Sequence, residues 1–478
     1  MDNLEKTTAK NKQVILAVSF IVTAGFLLRL YCLSCQSLWY DEIYTGGQNT
    51  LPFFEMIRIV LVSPFPPLYH IIMNIWLKIF SFSEFSLRFP SLLFSTLSII
   101  YIFKLTKELF NEKAGLIAAL LLSISPYSIN YAQEAKMYSL LWFFGVLSFY
   151  FFYRFIRDDK THKLIWYIAA AAICIYTMYI GFIFIIVQNI IFFSFYYKDK
   201  SRKWLLGQLA IIILYLPWLY FFIYNALHKS GIQWIPRIGD YYALLRECFL
   251  LVTGLMIGKT NILEIFFYLF LIILAFVPVS RLTKNDAGVI LWIIIPLIIY
   301  CLIDFLGYPI FIPRYAGFIH IPLIILISRG IAGHNVKTAS LILIIFASIM
   351  VINHLLPYYK DGLKINGENW KELCRQLNQR PLDKALLLTT IGDDGLPYIN
   401  RGIRYYGGRE MKRLSDNRLD NYKGAHDAIV VIYRTQRPRL IVPRGYTLEE
   451  SYFVASKGYK EDKNIREDIG FLYYKILR

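Results

Sequence analysis

The stretch SLWYDEIYT at 37–45 sets two carboxylates side by side, Asp41 and Glu42, inside a frame of Trp39, Tyr40 and Tyr44. A carboxylate held against aromatic rings beside an apolar run sits in a low dielectric, where an idle charge is costly. In that setting it can take a proton from a hydroxyl or an amine, as a general base does. An acidic pair simply solvated on an exposed loop is the competing reading, and the spacing alone leaves both open.

Three further stretches carry groups of the same kind. VSPFPPLYHIIMNIWLKIF at 62–80 stiffens the chain with Pro64, Pro66 and Pro67 and then presents Tyr69 and His70. It reads either as a kinked linker with a packed histidine or as a wall of a substrate cavity. SPYSINYAQEAKMYSL at 125–140 clusters Gln133, Glu134, Lys136 and Tyr138 among apolar residues. Ionisable groups there are expensive and commonly functional, although Glu134 and Lys136 could do no more than neutralise each other. YPIFIPRYAGFIH at 308–320 offers Arg314, beside Tyr315. Its guanidinium can fork two donors onto an oxyanion or snorkel toward lipid headgroups.

The elements that must position these residues are membrane helices. The 478 residues are 57% hydrophobic and 18% charged, with a mean hydropathy of +0.47. A soluble domain carries about 25% charge. The first apolar run, VILAVSFIVTAGFLLRLYCL, follows a basic segment without a small-residue cleavage site and is expected to be a retained span. The net charge of +18 lies largely in short loops between apolar runs, which suits membrane topology better than nucleic acid. The six cysteines are scattered, and Cys32 and Cys35, close in sequence, are expected to be lone thiols.

Lysine and arginine collect at 107–113, 157–163, 198–203, 281–284 and 329–337, which places these five loops in the cytoplasm. Spans consistent with that choice cover 14–33, 88–107, 114–131, 138–156, 164–180, 181–197, 204–225, 262–280, 287–306, 315–328 and 339–356, about eleven by the roughly 20-residue rule. The stretches 68–83 and 242–257 would invert the pattern if they crossed, so they are expected to lie at the outer interface or to re-enter. The N-terminus is then inside. The connections around 37–45, 133–138, 226–241 and 307–314 face outward, with 226–241 a candidate lid.

From 357 onward charges are dense, 23 Lys and Arg against 16 Asp and Glu, and no spanning run remains. The pattern predicts helices at 368–380 and 447–458 and strands at 384–391, 427–434 and 470–477, a small α/β domain over 357–478 outside the membrane. Trp370, Tyr405 and Tyr406 read there as core. No P-loop, Rossmann glycine pattern or clustered metal ligands occur, so soluble nucleotide is not expected.

LWYDEIYT (38–45), PPLYHIIMNIWLKIF (66–80) with SEFSLRFPSLLFS (83–95), SPYSINYAQEAKMYSL (125–140) and PRYAGFIHIPLIILI (313–327), taken in order, resemble the membrane-embedded glycosyltransferases that use polyprenyl-phosphate sugars. This superfamily includes protein O-mannosyltransferases and lipid A aminoarabinose transferases. The resemblance covers about 370 residues, from the first span to the last. It implies an all-α polytopic bundle of the GT-C type over 1–356, with the extracytoplasmic α/β domain after it. It implies an inverting transfer of a hexose such as mannose, or of an aminopentose, from a polyprenyl-phosphate donor to an extracytoplasmic protein, lipid or glycan, at the inner (plasma) membrane and without a metal cofactor.

In this comparison Asp41 corresponds to the base that activates the acceptor, with Glu42 shaping the site. Tyr40, Tyr69, His70, Gln133, Glu134, Lys136, Tyr138 and Tyr315 correspond to substrate-lining positions, and Arg314 to a cation for the departing phosphate. Relatives more often carry arginine at the position of Lys136 and histidine at that of Met178. Two other classes compete: a transporter flipping a lipid-linked sugar, though no related halves with matching interruptions are visible, and a scaffold whose outer domain binds glycan.

Overall fold

The computed structural model describes residues 2–228, 266, 269–270, 272–273, 282–308, 313–315, 317–361, 369–379, 385–389, 396–408, 410–413, 428–435, 446–454 and 467–476. The chain divides into two compact units, one of residues 1–31, 57–69 and 89–356, the other of 32–56, 70–88 and 357–478. The expected stretches 226–241, 242–257 and 262–280 fall wholly or mostly outside the described residues.

The first unit is helical. Its elements are α1 (Asp2–Leu30), α5 (Glu84–Leu109, first turn in the other unit), α6 (Glu112–Ile124), α7 (Pro126–Ala132), α8 (Tyr138–Asp158), α9 (Thr161–Thr177), α10 (Gly181–Phe195), α11 (Tyr197–Leu227), α12 (Lys284–Phe305), α13 (His320–Gly333) and α14 (Val336–Ile349). Among the described residues six helices are long and apolar enough to cross a membrane, seven if α6 and α7 count as one bent span. The expected spans 164–180, 181–197 and 315–328 become helices of 17, 15 and 14 residues, short of that length.

All five basic loops meet at one end of this unit. Lys113 donates to the carbonyls of Ala332 and His334, Arg157 pairs with Glu108, and Lys203 pairs with Asp159 at 2.9 Å. Asn285 donates to the Leu109 carbonyl at 2.7 Å, and Arg329 lies 3.7 Å from Asp286. The clustering is that of a single membrane face, as the charge pattern requires.

The expected span 114–131 is broken by 59° between α6 and α7. Ser125 caps α7 by accepting from the Ser128 amide, and Pro126 follows at the first helical position, where its missing N–H costs nothing. The break orphans the last carbonyls of α6, and Arg29, wholly buried at the end of α1, takes them. Its five N–H groups go to the carbonyls of Gly25, Leu122 and Ser123 and the hydroxyls of Ser95 and Ser128, all at 2.8–3.0 Å. Arg29→Lys keeps the charge but offers three donors to five acceptors. It is expected to cost about 2–4 kcal/mol, read as a lower thermal midpoint of the purified protein; an unchanged midpoint would dispose of this role.

In the second unit lie α2 (Tyr40–Asn49), the start of α3 (Phe53–Leu61), most of α4 (Leu68–Ile79) and, after a short α15 (Leu356–Asp361), the C-terminal elements: α16 (Trp370–Asn378), β1 (Ala385–Thr389), α17 (Leu396–Ile403), β2 (Lys412–Arg413), β3 (Ala428–Thr435), β4 (Tyr446–Val454) and β5 (Glu467–Ile476). One five-stranded sheet runs β2-β1-β3-β5-β4. β1 is parallel to β2 and β3, and β5 is antiparallel to β3 and β4. On α16 the buried residues Trp370, Leu373, Cys374 and Leu377 follow one helical stripe, so Trp370 is core.

Two expectations are corrected in this unit. The stretch 447–458 is not a helix: 446–454 is β4. Its register shifts between Leu448 and Glu450, and such a bulge breaks the two-residue alternation that identifies a strand in sequence. Cys32 and Cys35 are not lone thiols either, since a disulfide joins them.

Candidate functional site

Asp41 and Glu42 lie not on a loop but on the first turn of α2. Glu42 accepts from the Trp39 amide at 3.3 Å, closing the helix entry from the third helical position. The acidic residues also face the positive end of the helix dipole. The two carboxylates have different surroundings: Asp41 is half-buried, whereas Glu42 is completely enclosed.

Glu42 is gripped by Arg88, from the first turns of α5. Arg88 Nε reaches Oε1 at 2.8 Å and Nη2 reaches Oε2 at 2.7 Å, with neither side chain exposed. The remaining guanidinium donors hold the carbonyls of Leu33, Gln36 and Ser37, each at 2.9 Å. One arginine therefore fixes both the chain entering α2 and the residue beside Asp41, with the bidentate geometry that only a planar fork supplies.

The far end of α2 is held by amides. His70 Nδ1 meets Asn49 Oδ1 at 3.2 Å, and Asn74 donates to the carbonyls of Asn49 and Leu51 at 2.9 and 2.8 Å. His70 thus serves to anchor the helix carrying Asp41. Tyr40 stacks with Tyr44 on the outer face of α2, and Tyr44 meets Tyr398 edge to face. At Gly47 an added Cβ would stand 2.0 Å from the Tyr398 carbonyl oxygen, so this contact admits glycine alone.

From the C-terminal segment, Tyr405 and Tyr406 both donate to Glu84, in the first turn of α5. Burial, with the hydrogen bond and charge of Glu84 adding to it, pushes the Tyr405 hydroxyl up to about 12. Burial also pushes Tyr406 up. Both phenols are therefore donors at neutral pH, and neither acts as simple core filling.

The helical unit gathers a second set. Tyr127, Tyr131, Tyr138, Trp142 and His320 form an aromatic cluster, with Tyr127 stacked on Trp142 and edge-on to Tyr131, and Tyr131 edge-on to Tyr138. Tyr315 lies against Tyr138 and under the Arg314 guanidinium, whose carbon is 5.9 Å from the ring centre. The charges of Glu134 and Arg314 both act on the Tyr131 phenol, which brings two predicted stretches together. Gly317 fits because an added Cβ would stand 2.2 Å from Trp142 and 2.5 Å from the Tyr127 hydroxyl.

Gln133 is used differently: its amide donates to the carbonyls of Arg29 and Tyr31 at 2.8 Å, capping α1. Lys136 is buried and its carbonyl accepts from Ser91 at 3.1 Å. Tyr69, also buried, belongs to the helical unit.

Of the expected residues, Tyr40, Asp41, Glu42 and His70 share one unit, and Tyr69, Gln133, Glu134, Lys136, Tyr138, Arg314 and Tyr315 the other. Sequence reading passed over Arg29, Arg88, Glu84 and His320, and took Tyr406 for core. A signal existed for the arginines: each stands inside an apolar run, where a guanidinium must have partners.

Residues 65–221 match the dolichyl-phosphate-mannose-protein mannosyltransferase family. YkcB of Bacillus subtilis (strain 168), named provisionally as a mannosyltransferase, is 24% identical over 174 residues, covering 34% of this chain and 23% of its own length. The chain thus spans about a quarter of that relative. The structure is similar over 97% of its length to ArnT from Cupriavidus metallidurans, at a TM-score of 0.62 and 13% identity, covering 98% of that chain. ArnT bound to undecaprenyl phosphate gives a TM-score of 0.59. The oligosaccharyltransferase AglB from Archaeoglobus fulgidus, in complex with an inhibitory peptide and a dolichol-phosphate, gives 0.54 at 13% identity, over 88% of this chain and 69% of that one. The fold is that of these multi-pass membrane proteins.

Proposed function

We propose that this chain, a member of the membrane-embedded glycosyltransferases that draw on polyprenyl-phosphate sugars, moves a sugar from such a lipid to an acceptor outside the cytoplasm, inverting the anomeric configuration. The observation that carries the reading is the contrast on α2: Glu42 is immobilised by Arg88, while Asp41 beside it is half-exposed on a helix fixed at both ends. A half-exposed carboxylate on a helix held in this way can receive a proton from an acceptor.

In this mechanism Asp41 takes the proton of the acceptor hydroxyl or amine as the nucleophile attacks the anomeric carbon. The bond to phosphate oxygen breaks on the opposite face of the sugar, and the electron pair leaves with the polyprenyl phosphate. Arg314, permanently charged and backed by Tyr315, stabilises the charge on the departing phosphate. Tyr138, Glu134 and Lys136, in the same unit as Arg314, are assigned to donor binding in this proposal. The sugar is a hexose such as mannose or an aminopentose, and the acceptor a protein, lipid or glycan. Similarity to a protein crystallised with undecaprenyl phosphate and to one solved with a dolichol-phosphate supports the donor class.

The same reading has about eleven spans in the inner membrane, the basic end of the helical unit in the cytoplasm, and α2 with the C-terminal α/β domain outside. The Cys32–Cys35 disulfide, eight residues or fewer from α2, favours that oxidising side. Because fixed cations handle the phosphate, turnover is expected to survive EDTA; loss on chelation and recovery with a divalent ion would reverse this.

The test is release of labelled sugar from a panel of undecaprenyl-phosphate and dolichyl-phosphate mannose and aminoarabinose donors, using purified protein in lipid vesicles. Sugar transfer to acceptor or water supports a transferase. Movement of intact lipid-sugar between leaflets without cleavage would make the protein a transporter.

A further inference from the structure

Asp41 is separated from Leu38 by two residues and adjoins Glu42, and both of these neighbours are anchored from the first two turns of α5. Arg88 holds Glu42 directly. Glu84, one turn earlier, works through a tyrosine from the C-terminal segment: Tyr406 Oη donates to Glu84 Oε1 at 3.0 Å and accepts from the Leu38 amide at 2.8 Å. Leu38 is wholly buried, so its N–H has no recourse to water if that hydroxyl is lost. The same C-terminal segment meets α2 further along, where Tyr398 faces Gly47 and an added Cβ on Gly402 would strike Ile43 at 2.4 Å.

We propose that Tyr406 is a positioning residue for Asp41: its hydroxyl fixes the entry of α2, so that the C-terminal domain sets where the base stands. This rests on the reading of Asp41 as the base. Tyr405 is the internal control, because its hydroxyl bonds to Glu84 without reaching the α2 entry. Core packing alone would make the two tyrosines equivalent and would be indifferent to the loss of one oxygen atom. A displaced base, in contrast, slows the proton transfer while leaving the donor bound, since a misplacement of about 1 Å can cost about a hundredfold in rate.

The test compares wild type, Tyr406→Phe, Tyr405→Phe and Asp41→Asn as full-length proteins in nanodiscs, by two readouts. The first, independent of any donor, is amide hydrogen exchange across 37–49. It is expected to quicken about tenfold in Tyr406→Phe, with the sheet strands unaffected and Tyr405→Phe close to wild type. The second is steady-state sugar release from undecaprenyl-phosphate mannose and undecaprenyl-phosphate aminoarabinose. In Tyr406→Phe kcat is expected to fall about tenfold to a hundredfold with KM for the donor held within about threefold. Unchanged exchange across 37–49 overturns the proposal, as does quickened exchange with unchanged kcat, or a fall matched by Tyr405→Phe. If Asp41→Asn turns over like wild type, or wild type releases no sugar, the reading of the base has failed first. If Asp41→Asn is inactive while Tyr406→Phe behaves as wild type, only the positioning role is lost.

Discussion

Asp41→Asn is expected to lower sugar transfer about a hundredfold to ten-thousandfold, the contribution of a positioned general base, with donor affinity within about threefold of wild type. The substitution is nearly isosteric and removes a half-buried carboxylate, whereas the Glu42 carboxylate beside it is enclosed and gripped by Arg88. Loss of its charge from the first turn of α2 removes a helix-dipole contribution of about 0.3–1 kcal/mol, small beside the expected loss of rate. The thermal midpoint therefore stays near that of wild type while kcat collapses. Initial rates of labelled sugar release, together with binding of undecaprenyl phosphate, separate the effects: full turnover in the variant would remove Asp41 from the chemistry, and lost binding would make it a donor ligand.

Arg88→Met should do the reverse, damaging the fold first. It strands the Glu42 carboxylate in a site with no exposure and orphans the carbonyls of Leu33, Gln36 and Ser37. Breaking a buried ion pair from one side costs about 3–5 kcal/mol, mostly the penalty of the charge left behind. Arg88→Met combined with Glu42→Leu removes both charges and is expected to regain about half of that loss, the three carbonyls remaining unpaired. Thermal unfolding of wild type and the two variants decides the matter. A single variant as stable as wild type would show that the pair adds no stability, and a double variant no better than the single would locate the loss in the carbonyls.

The membrane character, the basic face, the acidic pair and most C-terminal elements were legible in the sequence, because hydropathy and charge act locally and leave periodic traces. What escaped notice depends on distant partners. Glu42 reads as a possible ligand until Arg88, 46 positions away, is seen to fill both its oxygens. Gln133 looked like a cavity residue, but its amide caps a helix more than 100 positions earlier. β4 was hidden by a one-residue irregularity that only its pairing with β5 accommodates. The Cys32–Cys35 bond depends on a backbone turn, with Cys32 at a φ of 58°, that composition does not announce.

The bond between Tyr406 and Leu38 spans 368 positions, and that distance has a bearing on biogenesis. At about 5–20 residues per second, α2 leaves the ribosome tens of seconds before the segment that fixes it exists. During that interval the early helices can insert and pack, but the region around Asp41 is still without its anchor. A chain cut short before residue 406 would carry every candidate chemical group and still lack the last support beneath the base. On the reading of Asp41 as the base, the support proposed for it is therefore complete only once residue 406 has been made, long after the base itself.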